Sequence, residues 1–165
     1  MKTFKSLTEF SLFTATALPV LTLVELKHGL TTCAAAVERT AKEEIGSYQG
    51  SVGPFSAWRQ LAASTQEERE RLGFTPNDPL LRTGEMRETI EHEVSGLTAV
   101  IGSKDPKAGW QEFGTNKIPP RPFMGPAVIH NEKLIVQVLG SAVARGISGG
   151  QYARPALGYD RDVSP

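Results

Sequence analysis

The sequence predicts an α+β fold, with a long N-terminal amphipathic helix and a C-terminal helix packed on a small antiparallel sheet. Three observations carry this. Apolar residues recur at intervals of three and four from Leu23 through Leu26, Leu30, Ala34, Val37 and Ala41 to Ile45. Ile90, His92 and Val94 alternate with Glu91 and Glu93, and helical spacing returns through Val128, Leu134, Val138 and Val143.

At the N-terminus, Lys2 and Lys5 precede an apolar run over residues 10–24, in the manner of a secretory signal. Glu9, Pro19 and four Ser or Thr residues weaken that reading, and Glu25 and Lys27 follow without a small-residue cleavage pattern. The run therefore reads as a packed arm or strand, too short and too polar to span a bilayer. The first helix is expected over residues 22–48, with Lys27, Glu38, Arg39, Lys42 and Glu43 on its polar face and Gly46 at its exit. About 25 residues at 1.5 Å each make it roughly 38 Å long. A second helix is expected from Ser64, with Glu67 completing a capping box, Gly73 ending it, and its charged body facing water.

Residues 74–80 hold two prolines and an Asn-Asp pair and read as a loop. Thr83-Gly84-Glu85-Met86-Arg87 reads as a helix start, and Ser95-Gly96 as the turn of a hairpin whose return strand covers residues 97–102. Lys104-Asp105-Pro106 closes the hairpin, and one helical turn over residues 109–114 places Trp110 and Phe113 together at spacing three. Pro119, Pro120 and Pro122 exclude regular helix ahead of a final helix over residues 127–144. Residues 1–146 are expected to form a single domain and residues 147–165 an extended tail.

Composition narrows the function. The 165 residues carry 18 Lys plus Arg against 18 Asp plus Glu, so no basic excess exists to neutralise nucleic acid or an anionic membrane, and neither is expected as a specific partner. Neutrality favours self-association. The single Cys fits a reducing compartment and excludes a Cys-rich metal site, and Cys33 reads as a small buried hydrophobe. His28, His92 and His130 fall in three different elements, so no metal site is expected, and no phosphate loop, dinucleotide fingerprint or nucleophile elbow occurs. Eight of the acids lie between Glu67 and Glu93, on faces expected to be solvated, which argues against a catalytic carboxylate pair. No catalytic residue and no cofactor is expected. Charge is uneven all the same: residues 64–93 hold eight acids and four bases, residues 101–133 five bases and three acids, an asymmetry that favours head-to-tail contacts.

The most informative segment runs from Trp110 through Glu112-Phe113-Gly114-Thr115 to Ile118-Pro119-Pro120-Arg121-Pro122-Phe123. It joins an aromatic turn to a proline-stiffened stretch suited to docking, with Arg121 expected to make an ordered polar contact, across a subunit boundary or back to its own fold. The acids of residues 67–93 are its candidate partners.

Together with Trp58-Arg59-Gln60-Leu61, Ser64-Thr65, Arg71, the run from Leu81 through Thr83, Gly84 and Arg87 to Ile90, and Ile101-Gly102-Ser103, that segment resembles the tail-completion or head-tail joining proteins of long-tailed bacteriophages and prophages. The family is gene-product-ten-like and grouped with lambda minor tail protein Z. The resemblance covers most of the chain. It departs at Lys107-Ala108-Gly109-Trp110, where the family often has a Tyr-Ala pair, and after Gly146. It implies an α+β domain in a non-enzymatic virion protein of the neck, assembled in the host bacterial cytoplasm. Such a protein forms a ring, usually sixfold, that completes the tail and joins it to the filled head beside other neck, connector and tail-tube proteins. The alternative is a morphogenesis factor that does not remain in the particle. The residues carried over as motif and interface are Thr83, Gly84, Arg87, Trp110, Glu112, Phe113, Gly114, Thr115, Pro120, Arg121, Pro122 and Phe123.

Overall fold

The computed structural model describes residues 5–148. Its elements are α1 (Leu7–Glu44), α2 (Ala63–Arg71), α3 (Glu85–Glu88), β1 (Ile90–Ser95), β2 (Thr98–Ser103), α4 (Pro106–Phe113), α5 (Met124–His130) and α6 (Glu132–Ile147), an α+β fold with one two-stranded antiparallel sheet. The expected tail beyond Ser148 lies outside the described residues, and α6 carries the chain through Gly146 and Ile147.

The N-terminal run corrects the expectation of an arm or strand. It is the first part of α1, which is continuous over 38 residues with Pro19 inside it. Proline removes one amide and crowds the preceding turn, but Pro19 stands on an exposed face, where the chain has room to bend. Joined to the helix that follows, the run also gains the length it was expected to lack. By length and composition α1 is apolar enough to cross a membrane, and Leu7, Leu12, Val20 and Val24 are exposed along it.

The chain divides into two compact units, and α1 and the hairpin each pass from one to the other. In the first, the start of α1 and α6 run antiparallel, with Glu25 ion-paired to Arg145 at 2.9 Å. Small residues let the two helices close in: a Cβ on Gly29 would lie 3.2 Å from that of Ala142, and one on Gly146 would collide with Thr22. Cys33 and Ala34 are buried in α1, and burial raises the thiol pKa.

The second unit contains residues Ala35–His92 and Ile101–Asn131. Its core is Ala36, Val37, Ala41 and Ile45 from α1 and the segment after it, with Trp58, Met86, Ile90, Ala108, Phe123 and Ala127. Strand β1 shows the expected alternation, with Ile90, His92 and Val94 turned inward relative to Glu91, Glu93 and Ser95. His92 reaches Glu38, which ties the base of the hairpin to α1, and Lys42 with His92 holds the Glu38 carboxyl below its usual range.

Several helix boundaries differ from the sequence expectation, and α4, expected over residues 109–114, already starts at Pro106. The capping box at Ser64 does not form. Helix α2 starts at Ala63, with Ala62 as an N-cap whose carbonyl accepts from Thr65 and Gln66 at 2.9 and 3.1 Å, so Ser64 already lies in the first turn. The Gln66 side chain bonds back to the Leu61 carbonyl at 2.9 Å and sets that start. The exit is as expected: Gly73 takes φ +78°, and Gly73 and Phe74 donate to the carbonyls of Glu70 and Arg69, closing the last turn. The final helix over residues 127–144 is two helices. At Asn131 the side chain donates to Thr40 and to the Ala127 carbonyl, both at 2.8 Å, and this competes with the helical ladder.

Candidate interaction site

The segment singled out in the sequence closes on itself as a strut. Asp105 caps α4 by accepting from the Lys107 amide at 2.9 Å. The helix ends at Gly114, whose φ is +74°, and a Cβ there would stand 2.9 Å from both the Ile118 carbonyl oxygen and the Pro120 nitrogen. Only glycine satisfies both the backbone angle and the space. The Thr115 amide donates to Ile118 at 2.8 Å, and the Arg121 amide returns to the Gln111 carbonyl at 2.7 Å. The Glu112 side chain then accepts from the amides of Phe123, Met124 and Gly125 at 2.8, 3.0 and 3.2 Å, a carboxylate on the open amides where α5 begins. Trp58 Nε1 donates to the Pro122 carbonyl at 2.9 Å, and Phe123 is fully buried beneath it.

The residues carried over by resemblance therefore separate by job. Glu112, Gly114, Thr115, Pro122 and Phe123 build the strut, and Pro120 packs against Gly114. Thr83, Gly84, Trp110 and Arg121 line one cavity of about 840 Å³. Arg87 lies instead by a shallow depression of about 340 Å³ with Glu38, Lys42 and His92. Phe113 borders neither and is 84% exposed, while Trp110 is 51% exposed.

Arg121 makes an ordered contact back to its own fold, but not with an acid of residues 67–93. Its Nε and Nη2 donate to the Arg59 main-chain carbonyl at 3.3 and 3.1 Å. Burial lowers its pKa, Tyr48 opposes the shift and the charge of Arg69 adds to it. Most of the body of α2 faces water as expected, and Arg69 is the exception. It is buried and donates through Nη1 to the carbonyls of Asp78, Leu81 and Thr75 at 2.6, 3.0 and 3.5 Å. Between two of those acceptors Leu80 holds φ +61°, a left-handed conformation that costs a non-glycine residue roughly 1 to 2 kcal/mol. No carboxylate pairs with either guanidinium among the described residues.

A third ionisable group is buried in the same unit. Glu44, the last residue of α1, is 4% exposed, its Oε1 lies 3.1 Å from His130 Nδ1, and its Oε2 has no hydrogen-bond partner. Burial first and the nearby charge of Glu112 second push its carboxyl from the usual 4.5 up to about 7. Neither Glu44 nor Arg69 was singled out in the sequence. A signal existed for Glu44, which follows Val37 by seven and Ala41 by three and so falls inside the apolar stripe; the uniformly charged α2 offers none for Arg69. Among the described residues no group of three or more His, Cys, Asp or Glu side chains gathers as a metal site would require. Comparison with protein-family models, with curated proteins and with solved structures returns no match in any of the three.

Proposed function

We propose that the chain is a structural subunit of the neck of a long-tailed bacteriophage, one of the rings that completes the tail and joins it to the DNA-filled head. The observation that carries this reading is the strut. The segment on which the resemblance rests folds as one stiff piece, pinned by Glu112, Gly114 and Arg121, yet it leaves Trp110 and Phe113 at the surface. Large aromatic side chains held exposed on a rigid support are what protein interfaces use as anchors, because little entropy remains to be lost on docking. The acid-rich and base-rich stretches of a chain with zero net charge support self-association by head-to-tail contact.

Deleting the gene from the phage or prophage that carries it tests the reading. DNA-filled heads and separate tails, some of abnormal length, are expected in micrographs of the lysate, since filling a head does not depend on joining. Normal joined infectious particles would refute it. Mass spectrometry of purified particles then separates a resident ring subunit from a morphogenesis factor that leaves.

A further inference from the structure

The cavity beside the strut has the wrong charge to be finished within one chain. Six cationic side chains line it, Arg59, Arg69, Arg82, Lys107, Lys117 and Arg121, against two carboxylates, Glu68 and Glu85. Arg69 and Arg121 are each more than nine-tenths buried and are met only by main-chain carbonyls, which leave the two positive charges uncompensated. Burying a guanidinium without a counter-charge is costly, and here two are buried by the same cavity. The remaining wall is apolar, with Phe74, Met86, Trp110 and Ile118. An occupant needs carboxylates on apolar stems. A segment of protein has both, whereas a small inorganic anion lacks the stems and fills little of about 840 Å³.

The missing charge is present on the far side of α2. Thr65, Glu68 and Arg69 face the cavity, and Glu67 and Glu70 point away on the opposite face of the same helix. Both are exposed, and neither makes an ion pair among the described residues. Because the two surfaces back onto each other, one chain cannot place its own glutamates in its own cavity. We infer that the cavity is one half of a head-to-tail contact between copies of this chain, in which the cationic groove of one subunit receives Glu67 and Glu70 from the α2 of the next. A contact of this kind repeats from subunit to subunit and closes into a ring when the rotation permits. This rests on the reading of the chain as a ring subunit and identifies the faces the ring would use.

The experiment uses exposed residues, so that folding is preserved. Arg59→Glu with Lys117→Glu reverses the groove rim, and Glu67→Lys with Glu70→Lys reverses the ridge. Self-association of the full chain is read by sedimentation at about 50 mM salt, where charge contacts are weakly screened. Wild type is expected to associate, and each double variant alone to associate about a hundred-fold more weakly. An equimolar mixture of the two variants is expected to restore association with the two chains alternating, since the intact groove meets the intact ridge and the reversed groove meets the reversed ridge. All four substitutions in one chain should restore association, because the reversed charges are again complementary. Variants that associate like wild type, or a mixture that associates no better than either variant alone, overturn the inference and leave the ring reading standing. Wild type that stays monomeric to the limit of solubility also overturns it, while the neck reading is judged separately by the gene deletion.

Discussion

Glu44 stands where the stripe of α1 calls for an apolar side chain, and among the described residues one half-exposed histidine is the only hydrogen-bond partner of its carboxyl. With its carboxyl pushed up to about 7 in the fold and near 4.5 in the unfolded chain, the folded state holds the proton more tightly. The folded state therefore binds more protons than the unfolded one between those values. The contribution of Glu44 is fully present below about pH 4.5 and is lost as pH rises through 7, a difference on the order of 3 kcal/mol. Urea midpoints at pH 5 and pH 8 should show it as a decline in the wild type that Glu44→Gln largely removes, since the amide keeps a hydrogen bond to His130 and cannot ionise. An unchanged slope in that variant would show that the Glu44 proton is not the one being released. Glu38 acts in the opposite direction: with its carboxyl held low by Lys42 and His92, its contribution is present above the ordinary carboxyl range and is lost as pH falls through its folded value.

Beyond the end of α4 the strut has no regular secondary structure, and its cohesion rests most on one side chain. Glu112 receives three amides that no backbone carbonyl serves, and behind them Phe123 fills the core. Removing the carboxylate leaves those part-buried donors unpaired, so Glu112→Ala should cost about 2 to 4 kcal/mol, a fall in Tm of roughly 6 to 12 °C for a chain of this size. Glu91→Ala, which breaks an exposed pair with Lys104, should cost under about 1 kcal/mol in the same calorimeter. Equal losses in the two variants would refute the assigned role of Glu112. The elements here differ in how far the sequence reveals them. The body of α1, the alternation of β1 and the glycine exit of α2 follow from spacing and from φ, which are local properties. The break at Asn131 depends on Thr40, 91 residues away, and no local pattern records it. The partners of Arg69 and Arg121 escape the sequence for another reason. They are main-chain carbonyls, which every residue carries, so no letter of the sequence marks the partner. The motif at residues 112–123 was legible as a stiff unit, but not which of its residues pack inward as structure and which stay outside.

At the scale of the whole molecule, zero net charge removes the general repulsion that keeps like proteins apart, so local surfaces decide whether copies meet. Two surfaces compete for that part. One is the cationic groove with the glutamate ridge behind it; the other is the exposed apolar side of α1, with Leu7, Leu12, Val20, Leu23 and Val24. They respond to salt in opposite ways. Raising ionic strength from about 0.05 to 1 M shortens the Debye length from roughly 14 to 3 Å and weakens a charge contact, while sulfate strengthens apolar burial. Association through the groove should therefore fall steeply as sodium chloride is added and should not recover when sulfate replaces chloride at equal ionic strength. Sedimentation across such a series measures this directly. An association that persists in high chloride and tightens in sulfate would assign the contact to the apolar side of α1 and take it away from the groove.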